Sequence, residues 1–321
     1  MKRKAKRWLG LGALIVVAGF AGLNALAFNH ADAMLRFSDG GARTTTPEEL
    51  GFLPRMKVLL AGVNVPRPAT HGRPSELAPD CRVLTFPGPS GITLASWYCS
   101  RGKGTPLVIL FHGYAAEKTS LIGEARAFLD LGVSVMLVDF RGSGGSSESY
   151  TTVGVHEAED VATATRYARG KLSHGNVFLF GRSMGAAAIL RAVHAHAIQP
   201  DGVILEAVFD TMLNTVRHRF HAMEVPAFPS AELLVFWGGR QWGFDGFDHN
   251  PSAYADSVPC PVLLMHGARD PRVTLTEARR VFEAIPAAKK FVIFQQSGHG
   301  SYLSNNATQW RNAVERFIES T

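Results

Sequence analysis

From about Cys81 onward the chain alternates short, unbroken apolar runs with stretches of helical character. The runs are "PLVILFH" (Pro106–His112), "VSVMLVDF" (Val133–Phe140), "NVFLFG" (Asn176–Gly181), "GVILEA" (Gly202–Ala207), "PVLLMHG" (Pro261–Gly267) and "KKFVIFQ" (Lys289–Gln295). A run without a polar alternate face is the pattern of a strand covered on both sides. Helical stretches lie between and after them, at about Thr119–Leu131, Glu157–Arg169, Met184–Ala197, Thr276–Ile285 and Asn305–Glu319. Buried strands that alternate with helices predict an α/β fold, a mostly parallel twisted sheet with helices on both faces. Ahead of these runs, "CRVLTF" and "ITLASWYC" flank the turn "PGPSG" and predict a hairpin. Between the fourth and fifth apolar runs lies an irregular insert of about 208–259, rich in bulky apolar residues such as Phe220, Phe228, Phe236, Trp237 and Trp242.

The N-terminal pattern is different. "WLGLGALIVVAGFAGLNALAF" (Trp8–Phe28) is apolar except for Asn24, and as a helix it reaches roughly 30 Å, the thickness of a bilayer core. Lys2, Arg3, Lys4, Lys6 and Arg7 precede it and place its start on the cytoplasmic side. An uncleaved membrane anchor is expected, with the rest of the chain outside the cytoplasm, in a bacterium the periplasm. The alternative is a secretory signal cleaved at Ala25-Leu26-Ala27, which would leave a secreted protein. Three segments follow: 1–28 as anchor or signal, 29–79 as a stalk packing on the main domain, and 80–321 as the main domain with its insert. Within the stalk, "TTTPEELGFLPRMKVLLAG" predicts a helix with Thr46 as N-cap and Pro47 in the first turn.

Charge changes the picture little. The net charge is +6, but five of the 33 basic residues sit in the N-terminal cluster, leaving 28 against 27 acidic ones. No basic surface argues for nucleic acid. In the hairpin, opposed residues have numbers summing to about 180, so Cys81 and Cys99 face each other and a disulfide between them is expected. Two unpaired thiols are the alternative. Cys260, between two prolines, reads as a buried thiol.

The chemistry enters at "GRSMG", Gly181–Gly185, where a strand ends and a helix begins. The chain must turn sharply there, and glycines on either side of Ser183 leave room for the strand and helix to approach. A serine on such a turn projects above the sheet, beside the first amides of the helix. A serine hydroxyl needs a base, and the base an orienting acid. Downstream, "MHGARDPRV" puts Asp270 after the fifth strand and "QQSGHGSYL" puts His299 after the sixth, in the chain order Ser, Asp, His. Glu206 and Asp210 compete for the acid's place. His112 and His266, each in an H-G pair, read as structural. The oxyanion donors expected are the backbone amides of Met184 and Tyr114, and the Tyr114 hydroxyl either adds to the pocket or lies at the surface. No Cys/His cluster has metal-ligand spacing and "DFRGSGGS" lacks a P-loop lysine, so no metal and no cofactor are expected.

"HGY" (112–114), "DFRGSGGS" (139–146), "GRSMG" (181–185), "HGARDPRV" (266–273) and "SGHG" (297–300) together resemble the motifs of the α/β-hydrolase superfamily from about Cys81 to the C-terminus. Within it the chain is most similar to the small-lid serine hydrolases of the BEM46 and ABHD13-like group. The resemblance implies hydrolysis of an ester, thioester or amide through an acyl-enzyme, with the insert as a lid. An apolar lid favours a small-molecule acyl substrate, and a carboxylesterase or thioesterase is expected. A membrane-anchored peptidase or amidase is the alternative, with Glu224, Glu232 and Asp245 as candidate anchors for an amine. A catalytically silent, anchored binding protein is the third reading. The oligomeric state is not legible in the sequence.

Overall fold

The structure, a computed structural model, describes residues 2–46 and 49–321. Its centre is an eight-stranded sheet. In chain order the elements are α1 (Lys2–Leu35), α2 (Phe52–Ala61), β1 (Arg82–Pro87), β2 (Thr93–Cys99), β3 (Leu107–Phe111), α3 (Ile122–Asp130), β4 (Ser134–Val138), α4 (Glu157–Lys171), β5 (Val177–Arg182), α5 (Met184–His196), β6 (Gly202–Glu206), α6 (Met212–Ala222), α7 (Ser230–Trp242), α8 (Pro251–Tyr254), β7 (Val262–Gly267), α9 (Leu275–Ala284), β8 (Lys289–Phe294), α10 (Tyr302–Asn305) and α11 (Ala307–Glu319). The strand order is β1-β2-β4-β3-β5-β6-β7-β8. β2 runs antiparallel to both β1 and β4, and the other pairs are parallel. The α/β class and the two-faced cover read from the apolar runs are therefore correct for the interior of the sheet; β8, at its edge, leaves Lys289 and Lys290 exposed and only Phe294 buried.

The reason lies in the side chains of the central strands. Every residue of β3, β4 and β6 is buried. One face of the sheet packs on α4 and α5 through Ile109, Met136, Leu179 and Leu205. The other packs on α3 and α11 through Val108, Leu110, Phe180 and Trp310. Alternate residues of one strand serve opposite cores, which is the two-residue period at work. In the hairpin, Arg82 lies opposite Tyr98, and Cys81 and Cys99 are joined by a disulfide with their Cα atoms 4.3 Å apart.

Three parts differ from the sequence reading. The stalk helix begins at Phe52 with Gly51 as its cap, not at Thr46; Pro47 and Glu48 lie outside the described residues. The cause is Pro54. In the first turn its missing amide costs nothing, whereas in a helix begun at Pro47 it would break the interior. Thr44 instead bonds in extended fashion to Asn64, its amide donating to the Asn64 carbonyl at 2.9 Å.

The insert is helical rather than irregular. Thr211 caps α6, its hydroxyl accepting from the Asn214 amide at 3.1 Å, and α6 and α7 share a small core of Met212, Val216, Ala227, Ala231 and Val235. α1 also runs past Phe28 without a break. Ala27, Ala31 and Leu35 recur at every fourth position and are buried, making a stripe that packs on α7. Gly238 permits the approach: a Cβ there would stand 3.2 Å from Leu35 Cδ1. Trp237 Nε1 donates to Asn24 Oδ1 at 3.1 Å, and Gln241 Nε2 to the Phe28 carbonyl at 2.8 Å.

Candidate active site

β5 delivers Ser183 to the carboxyl edge of the sheet, and α5 leaves immediately after it. Ser183 has φ 53° and ψ −112°, a conformation that costs on the order of 1–3 kcal/mol in a non-glycine residue. The surroundings hold it there. Its amide donates to the Glu206 carbonyl at 2.7 Å. A Cβ on Gly185 would lie 2.3 Å from the Phe111 carbonyl oxygen and 2.8 Å from that of His112, and one on Gly181 would lie 2.6 Å from the Ala186 amide nitrogen. The glycines flanking the serine are thus required by backbone contact, which answers why the motif has them.

The loops after β7 and β8 bring two further side chains to Ser183. His299 Nε2 is 3.2 Å from Ser183 Oγ, and His299 Nδ1 is 2.7 Å from Asp270 Oδ2. With the proton on Nδ1 donated to the carboxylate, Nε2 is left to accept from the serine hydroxyl. The other Asp270 oxygen accepts the amides of Arg272 (2.8 Å) and Val273 (3.0 Å). Burial pushes the Asp270 carboxyl up, but the bond from His299 and these amides outweigh it and hold it below its ordinary range. Gly267 is another forced glycine, since a Cβ would meet the Ser297 and Gly298 carbonyls at 2.5 and 2.6 Å. The close passage of β7 against the His299 loop depends on it.

Met184 begins α5 and is buried. Gly113 lies 3.8 Å from the Ser183 Cβ, measured from the position of its own added Cβ, so the turn carrying Tyr114 passes beside the serine. The Tyr114 hydroxyl does not line the site. It donates to the Met34 carbonyl of α1 at 2.6 Å, with the Arg219 guanidinium over its ring. Arg43 Nη1 donates to the Ala115 carbonyl at 2.9 Å. The N-terminal segment is therefore built into the back of this turn.

The competing residues have other duties. Asp210 accepts from Asn214 and from Arg280 Nη1 (2.7 Å), tying α6 to α9. His112 accepts the Phe140 amide on Nε2 (3.1 Å) and faces its own Gly113 carbonyl through Nδ1; burial lowers its pKa and keeps it neutral. His266 Nε2 bonds the Val273 carbonyl at 3.0 Å. In "DFRGSGGS" the buried Asp139 carboxylate accepts the Lys118 and Gly145 amides and pairs with the Lys118 ammonium, so the loop is a turn folded on a carboxylate. Of the three candidate amine anchors, Glu224 pairs with Arg55, Glu232 pairs with Arg217, and Asp245 is exposed and accepts the Phe247 amide. Cys260 is a buried free thiol whose pKa burial raises to about 11. Among the described residues, no group of three or more His, Cys, Asp or Glu side chains could hold a metal ion.

One cluster was not read from the sequence. Beneath the serine, Arg182 bonds Glu206 (Nε to Oε2, 2.8 Å) and Glu124. Trp310 Nε1 donates to the other Glu206 oxygen at 2.6 Å, and Ser301 Oγ donates to Glu124. Ser301 is two residues past His299, so this network joins the nucleophile turn to the histidine loop. Its signal in the sequence was a carboxylate inside each of two apolar segments, Glu206 in "GVILEA" and Glu124 in "IGEARAFL". Such residues need a buried partner.

A serine at a forced turn, bonded in line to a histidine and a carboxylate, is the arrangement of a hydrolase. The family model for the prolyl oligopeptidase family matches residues 120–321, more than half of the chain. The chain belongs to the prolyl oligopeptidase family. This member is 24% identical over 240 residues to the uncharacterized protein YqkD of Bacillus subtilis, covering 74% of this chain and 79% of that one. It is 27% identical over 236 residues to dipeptidyl aminopeptidase BIII of Pseudoxanthomonas mexicana, covering 66% of this chain but 33% of that one. The esterase Pf2001 of Pyrococcus furiosus superposes with a TM-score of 0.67 at 22% identity, covering 80% of this chain and 97% of that one, and so shares the α/β-hydrolase fold. As a member of the prolyl oligopeptidase family with this fold, the chain is a hydrolase, esterase or peptidase.

Proposed function

We propose that the chain is a membrane-anchored serine hydrolase that cleaves a carboxylic ester or thioester through an acyl-enzyme. Ser183 attacks the carbonyl. His299 takes its proton and later passes it to the leaving group. Asp270 orients the imidazole and stabilises its protonated form, while the amides of Met184 and Tyr114 hold the oxyanion. The observation that carries this reading is the bonded line from Ser183 through His299 to Asp270 at the strained end of β5. A silent binding protein would have no need to keep that strain.

Ester is favoured over amide because, of the three carboxylates that could grip an amine, Glu224 and Glu232 are already paired with arginines and Asp245 is exposed and accepts the Phe247 amide. The second reading, a peptidase, is favoured by the family and by the aminopeptidase relative. Anchoring is supported by α1, in which Trp8–Leu35 is long and apolar enough to cross a membrane. The basic cluster and the Cys81–Cys99 disulfide favour a catalytic domain outside the cytoplasm. The short lid and the anchor agree with the small-lid BEM46-like group.

The test uses the full chain in detergent, with Ser183→Ala as control, on p-nitrophenyl esters from acetyl to palmitoyl and on aminoacyl and peptidyl anilides. Serine-dependent ester turnover with a chain-length optimum is expected. Anilide rates above the ester rates would move the assignment to a peptidase.

A further inference from the structure

α2 has no buried residue. Phe52, Leu53 and Leu60 are 75%, 76% and 69% exposed and share one face of it. A helix with an apolar face this bare needs a cover. Its position points to one. His30 Nε2, on α1, bonds the Leu59 carbonyl at 2.9 Å, and Arg55 Nη1 pairs with Glu224 Oε2 at 2.9 Å, at the turn between α6 and α7. That turn carries Phe228, 76% exposed, and leads into Phe236 on α7. The bare apolar residues of α2, the α6–α7 turn and α7 therefore gather where α1 leaves the domain.

The length of α1 fixes the depth of that place. Between Trp8 and Asn24 the helix rises roughly 24 Å, at about 1.5 Å per residue. A bilayer core of about 30 Å takes in the helix as far as Ala27 or Phe28, and a tilt only draws in more. Yet Asn24 and Phe28 are already touched by Trp237 of α7, through the bond to Asn24 and a ring contact with Phe28 at 5.4 Å between centroids. When α1 spans, the helix packed on it must stand in the interfacial zone, where aromatic side chains settle.

We propose that α2, the α6–α7 turn and the exposed edge of α7 form a surface seated in the headgroup region of a phospholipid bilayer. The lid would then lie between the bilayer and the serine. Its core continues through Val153 to Ala187, one turn of α5 past Ser183. The inference rests on the anchored reading of α1.

The experiment places an environment-sensitive fluorophore on a single cysteine, Leu53→Cys or Phe228→Cys, in a full-chain Cys260→Ala background. Val83→Cys is the control, an exposed apolar position (55%) on β1. All three side chains are exposed, so the fold tolerates the change. The proteins are reconstituted in phosphatidylcholine vesicles with and without spin-labelled lipid. Probes at 53 and 228 should shift to the blue and lose emission to the spin label, while the probe at 83 stays aqueous and open to iodide. If 53 and 228 behave like 83 in protein that resists alkaline carbonate extraction, the surface is refuted and the anchor stands. A blue shift without lipid quenching would mean a second copy of the chain covers the face, which also overturns the proposal. Extraction by carbonate would overturn the anchor, and the surface with it.

Discussion

Replacing Arg182 with methionine keeps the volume beneath Ser183 and removes the charge that two carboxylates share. Glu206 is fully buried and Glu124 nearly so. In the parent, burial raises the Glu206 pKa to about 7 from an ordinary 4.5, with Arg182 pulling the other way. A carboxyl raised in the folded state contributes its stability in full below its unfolded value and loses it as pH rises through the folded one. The parent's loss is thus complete near pH 7. Without the guanidinium the folded value climbs further, and the variant goes on losing about 1.4 kcal/mol per pH unit. Removing one partner from a buried ionic cluster costs about 3–5 kcal/mol in all, or roughly 10 °C in Tm for a domain of this size. The assay is urea unfolding of the full chain in detergent at pH 6 and pH 8.5, followed by tryptophan fluorescence. The gap between parent and variant should widen with pH. Adding Glu124→Gln and Glu206→Gln to the variant should recover most of it. A gap under about 1 kcal/mol at pH 8.5, or one that closes as pH rises, would refute the reasoning. Turnover should fall as well, because Glu124 also holds Ser301 beside His299.

Other expectations follow from the same geometry. His299→Ala should lower kcat by at least about three orders of magnitude and Asp270→Asn by a comparable factor, since triad members act as a unit; near-normal turnover in either would displace that residue from its role. Gly185→Ala should cost about 1–3 kcal/mol or more, because its methyl would press on two backbone carbonyls of the β3 end; an unchanged unfolding midpoint would show the turn to be looser than its contacts. Reducing the Cys81–Cys99 disulfide, which closes a span of 18 residues, should cost about 3 kcal/mol, read as a fall in Tm that an oxidised control does not show.

The parallel sheet was legible because strands buried on both faces leave continuous apolar runs, and β3, β4 and β6 are such runs. The order of Ser183, Asp270 and His299 was legible because each follows a strand, β5, β7 and β8 in turn. What escaped the sequence has physical reasons. The stripe of Ala27, Ala31 and Leu35 follows a longer apolar run, and its partner Gly238 is more than 200 residues away, so nothing local marks where α1 stops being anchor and becomes part of the domain. In the lid, Gly238 and Gly239 weaken the helical signal of α7, and Pro226 and Pro229 interrupt the pattern just before it; packing against α1 and Val153 supplies what local propensity lacks. For the Tyr114 hydroxyl the sequence left pocket and surface roles open; its partner is the Met34 carbonyl, and a backbone acceptor has no signature in sequence. Arg182, between Gly181 and Ser183, carries no local signal of its role, although its partners Glu124 and Glu206 stand as charges in apolar segments.

The central claim is that Ser183 is a nucleophile activated by His299. A fluorophosphonate probe applied to the full chain in detergent, followed by intact mass and peptide mapping, tests it most directly. One adduct should form on the peptide carrying Ser183, vanish in Ser183→Ala and slow sharply in His299→Ala. A folded protein that takes no adduct, or takes it on another serine, would contradict the account.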